Sequence, residues 1–135
     1  MPRSPSPDPA EYRRFVRFVE LDEFGDDWQG LGLDLEHNLW DLQSQIMKSP
    51  AAPVMRGTGG LRKLRFAPAG ESIGKRGAIR VCYATFPRYR VVLLVRAYGK
   101  AIKDNLTQRE RQGIKTYLAQ VESWLAATSA GERPR

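Results

Sequence analysis

Sulfur and imidazole are scarce in this chain. One cysteine and one histidine among 135 residues leave no intramolecular disulfide and fall short of a multi-cysteine zinc site. No apolar run approaches the roughly 18–20 residues of a membrane span. The N-terminal MPRSPSPDPAEYRR has no continuous apolar stretch of the kind a secretory signal carries. Phosphate-cradling motifs are missing too: neither G-x-x-x-x-G-K-[ST] nor a G-x-G-x-x-G following a strand occurs. These absences point to a small, soluble, cytoplasmic domain with no metal and no other cofactor. Its length suits one domain, which usually takes about 100–150 residues.

Carboxylates are scarce where cations are abundant. Residues 1–55 carry 5 basic and 10 acidic side chains, whereas residues 56–115 carry 15 basic and only 3 acidic ones. Residues 116–135 hold 2 of each, so the formal charge of +7 conceals a middle segment near +12. A stretch so one-sided attracts polyanions, nucleic acid above all.

The order of elements follows from periodicity. Residues 1–11 carry four prolines and read as a disordered leader. Phe15 to Leu21 suggest a first strand. Phe24 to Leu33, with three glycines, reads as a short helix with breaks. Asp34 is a candidate N-cap for a helix over 35–48, with Leu35, Leu39, Leu42 and Ile46 as its apolar stripe and Trp40 and Met47 widening it. The glycine-rich RGTGG reads as a turn with backbone freedom. Strands are expected at Leu61–Ala67, Ala78–Phe86 and Tyr89–Tyr98, the last two joined tightly by Pro87 and Arg88 as an antiparallel hairpin. The connection APAGESIGKRG reads as a mobile, exposed loop. Thr107 with Glu110 forms a capping box for a helix to about Ala126, whose stripe is Ile114, Leu118, Val121 and Leu125. The expectation is an α+β domain at 12–127, order β-α-(α)-β-β-β-α, with helices on a mostly antiparallel sheet of about four strands and a disordered tail at 128–135.

Strand alternation sorts the cations. Lys63 and Arg65 point away from Leu64 and Phe66, which share their face with Arg62. Arg80 opposes Ile79, Val81 and Tyr83. In the last strand Arg90, Arg96 and Tyr98 oppose Val91, Leu93, Val95 and Ala97. One apolar, helix-covered face and one basic face are therefore expected, the basic one gathering Lys63, Arg65, Arg80, Arg96 and Tyr98 with Lys75, Arg76, Lys100 and Lys103 on adjoining loops. A solvated polar face usually mixes signs; this one has almost no carboxylates. His37 reads as a helix-surface residue and Cys82 as a small buried thiol. The basic face suits RNA binding, or RNA cleavage in which the 2′-hydroxyl attacks and the protein supplies orientation, charge stabilisation and proton transfer.

The stretches RGTGGLRKLRF, GKRGAIRVCYATF and VVLLVRAYGKAIKDNLTQRER resemble the RelE superfamily of type II toxin–antitoxin toxins, in its HigB-like branch, over about residues 15–125. The resemblance implies a ribosome-dependent mRNA endonuclease that inhibits translation. Its partners would be the ribosome, mRNA and a helix-turn-helix (HigA-like) antitoxin that silences it in a hetero-oligomeric complex. Carried over residue by residue, Lys63 and Arg65 would hold phosphate and tune proton transfer, and Arg80 would clamp the scissile phosphate. Tyr98 would stack on a base or assist proton transfer, with Lys100 beside it. Arg62, Lys75, Arg76, Arg96 and Lys103 would contact RNA. The chain has Leu106 and Thr107 where the best-known RelE enzymes carry a tyrosine or histidine, which leaves the general acid open. The competing function is a non-nuclease member of the fold: a ParE-like gyrase inhibitor, an inactive toxin or a basic RNA-binding module.

Overall fold

A computed structural model describes residues 16–68, 79–99 and 106–132. The expectations placed on the leader, on Lys75, Arg76, Lys100 and Lys103, and on most of the APAGESIGKRG connection lie outside those residues. There are four strands among the described residues, of which β3 and β4 are the ones rich in β-branched residues: β1 (Arg17–Glu20), β2 (Arg62–Phe66), β3 (Ile79–Phe86) and β4 (Val91–Tyr98). The helices are α1 (Asp22–Gly30), α2 (His37–Lys48) and α3 (Gln108–Glu132). The sheet order is β1-β4-β3-β2, with β1 parallel to β4 and the other neighbours antiparallel. The α+β class and the order of elements are as the sequence predicts.

Each helix has a local reason to stand where it does. In α1, Phe24 and Trp28 are one turn apart and fully buried. Their rings stack at 5.2 Å, and Trp28 tilts onto Phe66 of β2 at 5.5 Å. The buried indole N–H is satisfied by the Asp34 carbonyl at 2.7 Å. Asp34 itself acts one step earlier than expected. Its carboxylate accepts the N–H groups of Glu36 and Asn38, and its own N–H donates to the Asn38 Oδ1, closing a turn before α2 begins at His37. Those amide donors, Asn38 foremost, hold the Asp34 carboxyl below its ordinary range. Leu35 therefore falls outside α2 and is 43% exposed, and Trp40 is 38% exposed. The buried stripe is Leu39, Leu42, Ile46 and Met47, with Gln43 among them.

The Thr107–Glu110 capping box forms reciprocally: the Thr107 N–H donates to Glu110 at 2.8 Å and the Glu110 N–H to the Thr107 hydroxyl at 3.1 Å. From it α3 runs to Glu132, six residues beyond the expected end at Ala126, so 128–132 is helix rather than disordered tail. Leu118 and Leu125 are buried under it, while Trp124 is 59% exposed.

The sheet corrects one expectation outright: both of its faces are covered. Leu64, Phe66, Ile79, Val81, Tyr83, Val92 and Leu94 pack with α1 and α2 in one core. Leu61, Cys82, Ala84, Phe86, Val91 and Leu93 pack with Leu118 and Leu125 of α3 in a second. The physical cause is that both alternating sets of β3 and β4 are apolar toward the hairpin, so each face needs a cover; β4 departs from the expected facing in a second way. Cys82 pairs with Arg96 but Tyr83 pairs with Leu94, so Val95 is an extra residue in a β-bulge. The bulge breaks the alternation. Ala97 joins the core under α1 and α2, whereas Val95 and Tyr98 pack with Val91 and Leu93 on the α3 side. Arg90 is not in the strand at all. It sits in the hairpin turn with φ 56° and ψ 45°, after the 3-10 turn Pro87–Tyr89.

Candidate functional site

The register between β2 and β3 sets Arg65 directly opposite Arg80, and β4 adds Tyr98 opposite Arg80. Lys63 stands two residues along, opposite Cys82, which is opposite Arg96. Residues opposite one another in a sheet share a face. The face that α3 covers at its hairpin end thus turns basic at the other end. The Arg65–Arg80 pairing places two cations on neighbouring strands of that face. Arg80 is only 6% exposed, which fixes its guanidinium in place.

A cleft of about 850 Å³ opens where this row meets the 51–56 segment, and Arg56, Lys63, Arg65, Arg80 and Arg111 all line it. No carboxylate is among its described lining residues. The 51–56 wall is held against β2 by the Val54–Arg62 bridge and by the Lys63 N–H to the Pro53 carbonyl at 3.1 Å. Arg56 opens the RGTGG turn, and Gly57, Gly59 and Gly60 all have positive φ, at 77°, 74° and 122°. The expected backbone freedom is used. Gly59 also lets the turn approach α3, because a Cβ there would stand 3.3 Å from the Cα of Lys115.

The structure brings Lys63, Arg65 and Arg80 together on the cleft; Arg96 and Tyr98 share their sheet face by register but do not line that cleft. Arg62 lies on the far face, where its Nη1–H donates to the Ala52 carbonyl at 2.5 Å. There it helps tie the loop after α2 to the sheet, together with the Tyr83 hydroxyl, which donates to the Pro50 carbonyl at 2.8 Å. Burial pushes the Tyr83 hydroxyl pKa up. Arg96 is engaged at the sheet edge: its Nε and Nη2 donate to Asp27 at 2.7 and 3.1 Å. That hydrogen bonding raises the Arg96 pKa further. Asp27 also accepts the Ala97 N–H at 2.9 Å, beyond the point where β1 stops pairing with β4. Tyr98 is half-buried and lines a neighbouring cavity beneath α3, beside Leu106 and Ile114. Cys82 is buried and in no disulfide, and His37 is exposed.

Sequence reasoning does not single out Arg56 or Arg111. The signals are thin: an arginine immediately before a glycine turn, and an arginine four residues after a capping threonine. No family model matches the chain.

Proposed function

We propose that this protein is a ribonuclease toxin of the RelE type, one that cuts mRNA on the ribosome. The observation that carries the reading is the convergence of Lys63, Arg65 and Arg80 from two antiparallel strands on one cleft with no carboxylate among its described lining residues. Such a wall suits a phosphodiester whose charge rises as the reaction proceeds. The substrate 2′-oxygen attacks phosphorus, its proton passes to a base, the P–O5′ bond breaks, and a proton is delivered to the departing 5′-oxygen. The products are a 2′,3′-cyclic phosphate and a 5′-hydroxyl. Arg80 and Arg65 hold the non-bridging oxygens, where a planar fork of permanent charge stabilises the pentavalent state. Lys63, on the same wall, is the group placed to exchange the proton. The RelE resemblance supplies the message under translation as substrate. It also supplies an antitoxin as the partner that neutralises the cleft.

The test is primer extension on one defined message in a reconstituted translation reaction, with and without ribosomes. New 5′ ends inside codons, formed only with ribosomes and lost with Arg80→Ala, are expected. Cutting of naked message would make this a free ribonuclease. No new ends and normal translation would overturn the reading and send the protein to a gyrase supercoiling assay.

A further inference from the structure

Arg111 lies on α3, away from the strands that carry the proposed chemistry, yet it holds a wall of the same cleft. Its Nη1–H donates to the Arg56 carbonyl at 2.8 Å and its Nε–H to the Leu106 carbonyl at 3.2 Å. Two of the roughly five N–H donors of a guanidinium thus tie together two segments that are far apart in the chain.

The segment it grips is loose by composition. Its neck is closed by the Met55 N–H to the Leu61 carbonyl at 2.7 Å. Its tip is fixed by the buried Thr58 hydroxyl, which donates to the Met55 carbonyl at 2.6 Å and accepts the Leu61 N–H at 3.0 Å. None of these bonds involves the peptide group between Arg56 and Gly57. With glycine on its C-terminal side that peptide rotates at little steric cost, and rotation there alters the angle at which Arg56 meets the cleft. The Arg111 bond to the Arg56 carbonyl removes that freedom. The Arg111 chain also lies over Gly57, whose Cβ position is 3.5 Å from the Arg111 Cδ.

Building on the ribonuclease reading, we infer that Arg111 is a positioning residue that fixes Arg56 on the cleft wall, so that an RNA backbone meets both Arg56 and the Lys63–Arg65–Arg80 row in a preset arrangement. Charge alone would be served equally by lysine. Bridging two carbonyls from a rigid fork would not.

The experiment is a double-mutant cycle on the full chain. Binding of a fluorescein-labelled, 2′-O-methylated oligouridylate is followed by anisotropy across a salt series. Arg56→Ala and Arg111→Lys are each expected to weaken binding about 5- to 10-fold, with the pair within about twofold of the worse single variant, because one acts through the other. Arg111→Lys keeps the wild-type salt slope, whereas Arg56→Ala lowers it by about 0.7 for each phosphate that Arg56 neutralises. Should Arg111→Lys be unfolded at the assay temperature, Arg111→Gln takes its place and is held to the same affinity and coupling outcomes, the salt slope being compared only among variants of equal charge. Wild-type affinity in Arg111→Lys, or losses that multiply in the pair, would overturn the positioning role while leaving the RNA reading intact. Failure of the wild-type protein to bind the probe at any salt would overturn the RNA reading, and this inference with it.

Discussion

Along β3 the side chains that turn toward α3 change character halfway. At the hairpin end they are Ala84 and Phe86, packed with Leu93 and the buried leucines of α3; at the other end stands Arg80, level with Arg65 and Tyr98. One strand and one face thus serve two purposes, divided by how far the helix reaches. Where α3 lies on the sheet, burial of apolar area sets the composition. Near the first turns of α3 a polar contact joins the apolar ones: Arg111 donates to the Arg56 carbonyl that opens the RGTGG turn. Stability and the proposed chemistry occupy adjoining halves of a single surface, and they should respond to different substitutions.

The sharpest way to separate the halves is Arg80→Lys. Charge is retained but the planar fork is lost, so message cleavage is expected to fall at least about 100-fold. The urea midpoint should move little, and both are read on one preparation. Phe86→Ala is the converse. It empties a well-packed site and should cost about 3–5 kcal/mol in urea unfolding, with cleavage per folded molecule unchanged. A large loss of cleavage from Phe86→Ala in protein that remains folded would mean that the halves are coupled and the division fails. Asp27→Ala removes acceptors from both Arg96 and the Ala97 N–H at the sheet edge. A loss of about 1–2 kcal/mol is expected, measured by urea unfolding at neutral pH. The Arg96 pKa is raised from an already high value, so its contribution is complete throughout the neutral range and is lost only at strongly alkaline pH. Asp34→Ala should show the smallest effect. Because the Asp34 carboxyl is depressed from 3.8 in the folded state, its contribution is present above that value and fades as pH falls through the lower folded pKa. The wild type should therefore lose its small advantage over Asp34→Ala in melts taken at progressively more acid pH.

Much of the fold is legible in residue spacing because the signals are local. The capping box at Thr107, the hairpin at Pro87 and the period-two strands each depend on neighbours a few residues apart. The side-chain grouping on β2 and β3 is equally legible, and it is what brings Lys63, Arg65 and Arg80 together. What spacing does not reveal is relational. The extra residue at Val95 is visible only in the pairing of β4 with β3, and it reverses the facing of Arg96 and Tyr98 relative to the apolar residues before it. The fate of Arg62 is set by a carbonyl at Ala52, and that of Arg96 by a carboxylate at Asp27. Neither partner is a neighbour in sequence. Arg56 and Arg111 belong to the site only because a turn and a helix meet in space.

The direct opposition of Arg65 and Arg80 carries a thermodynamic consequence. A chain of formal charge +7 that also pairs Arg65 with Arg80 across a ladder folds against the repulsion of its own net charge. Dissolved ions screen that repulsion, so the melting temperature of the free protein should climb as ionic strength rises. On the ribonuclease reading, the same ions would compete with a nucleic-acid backbone for the cleft, so affinity should decline over the same range. A single variable would then drive folding and binding in opposite directions, so the rise in melting temperature that a bound polyanion confers should shrink as salt is added.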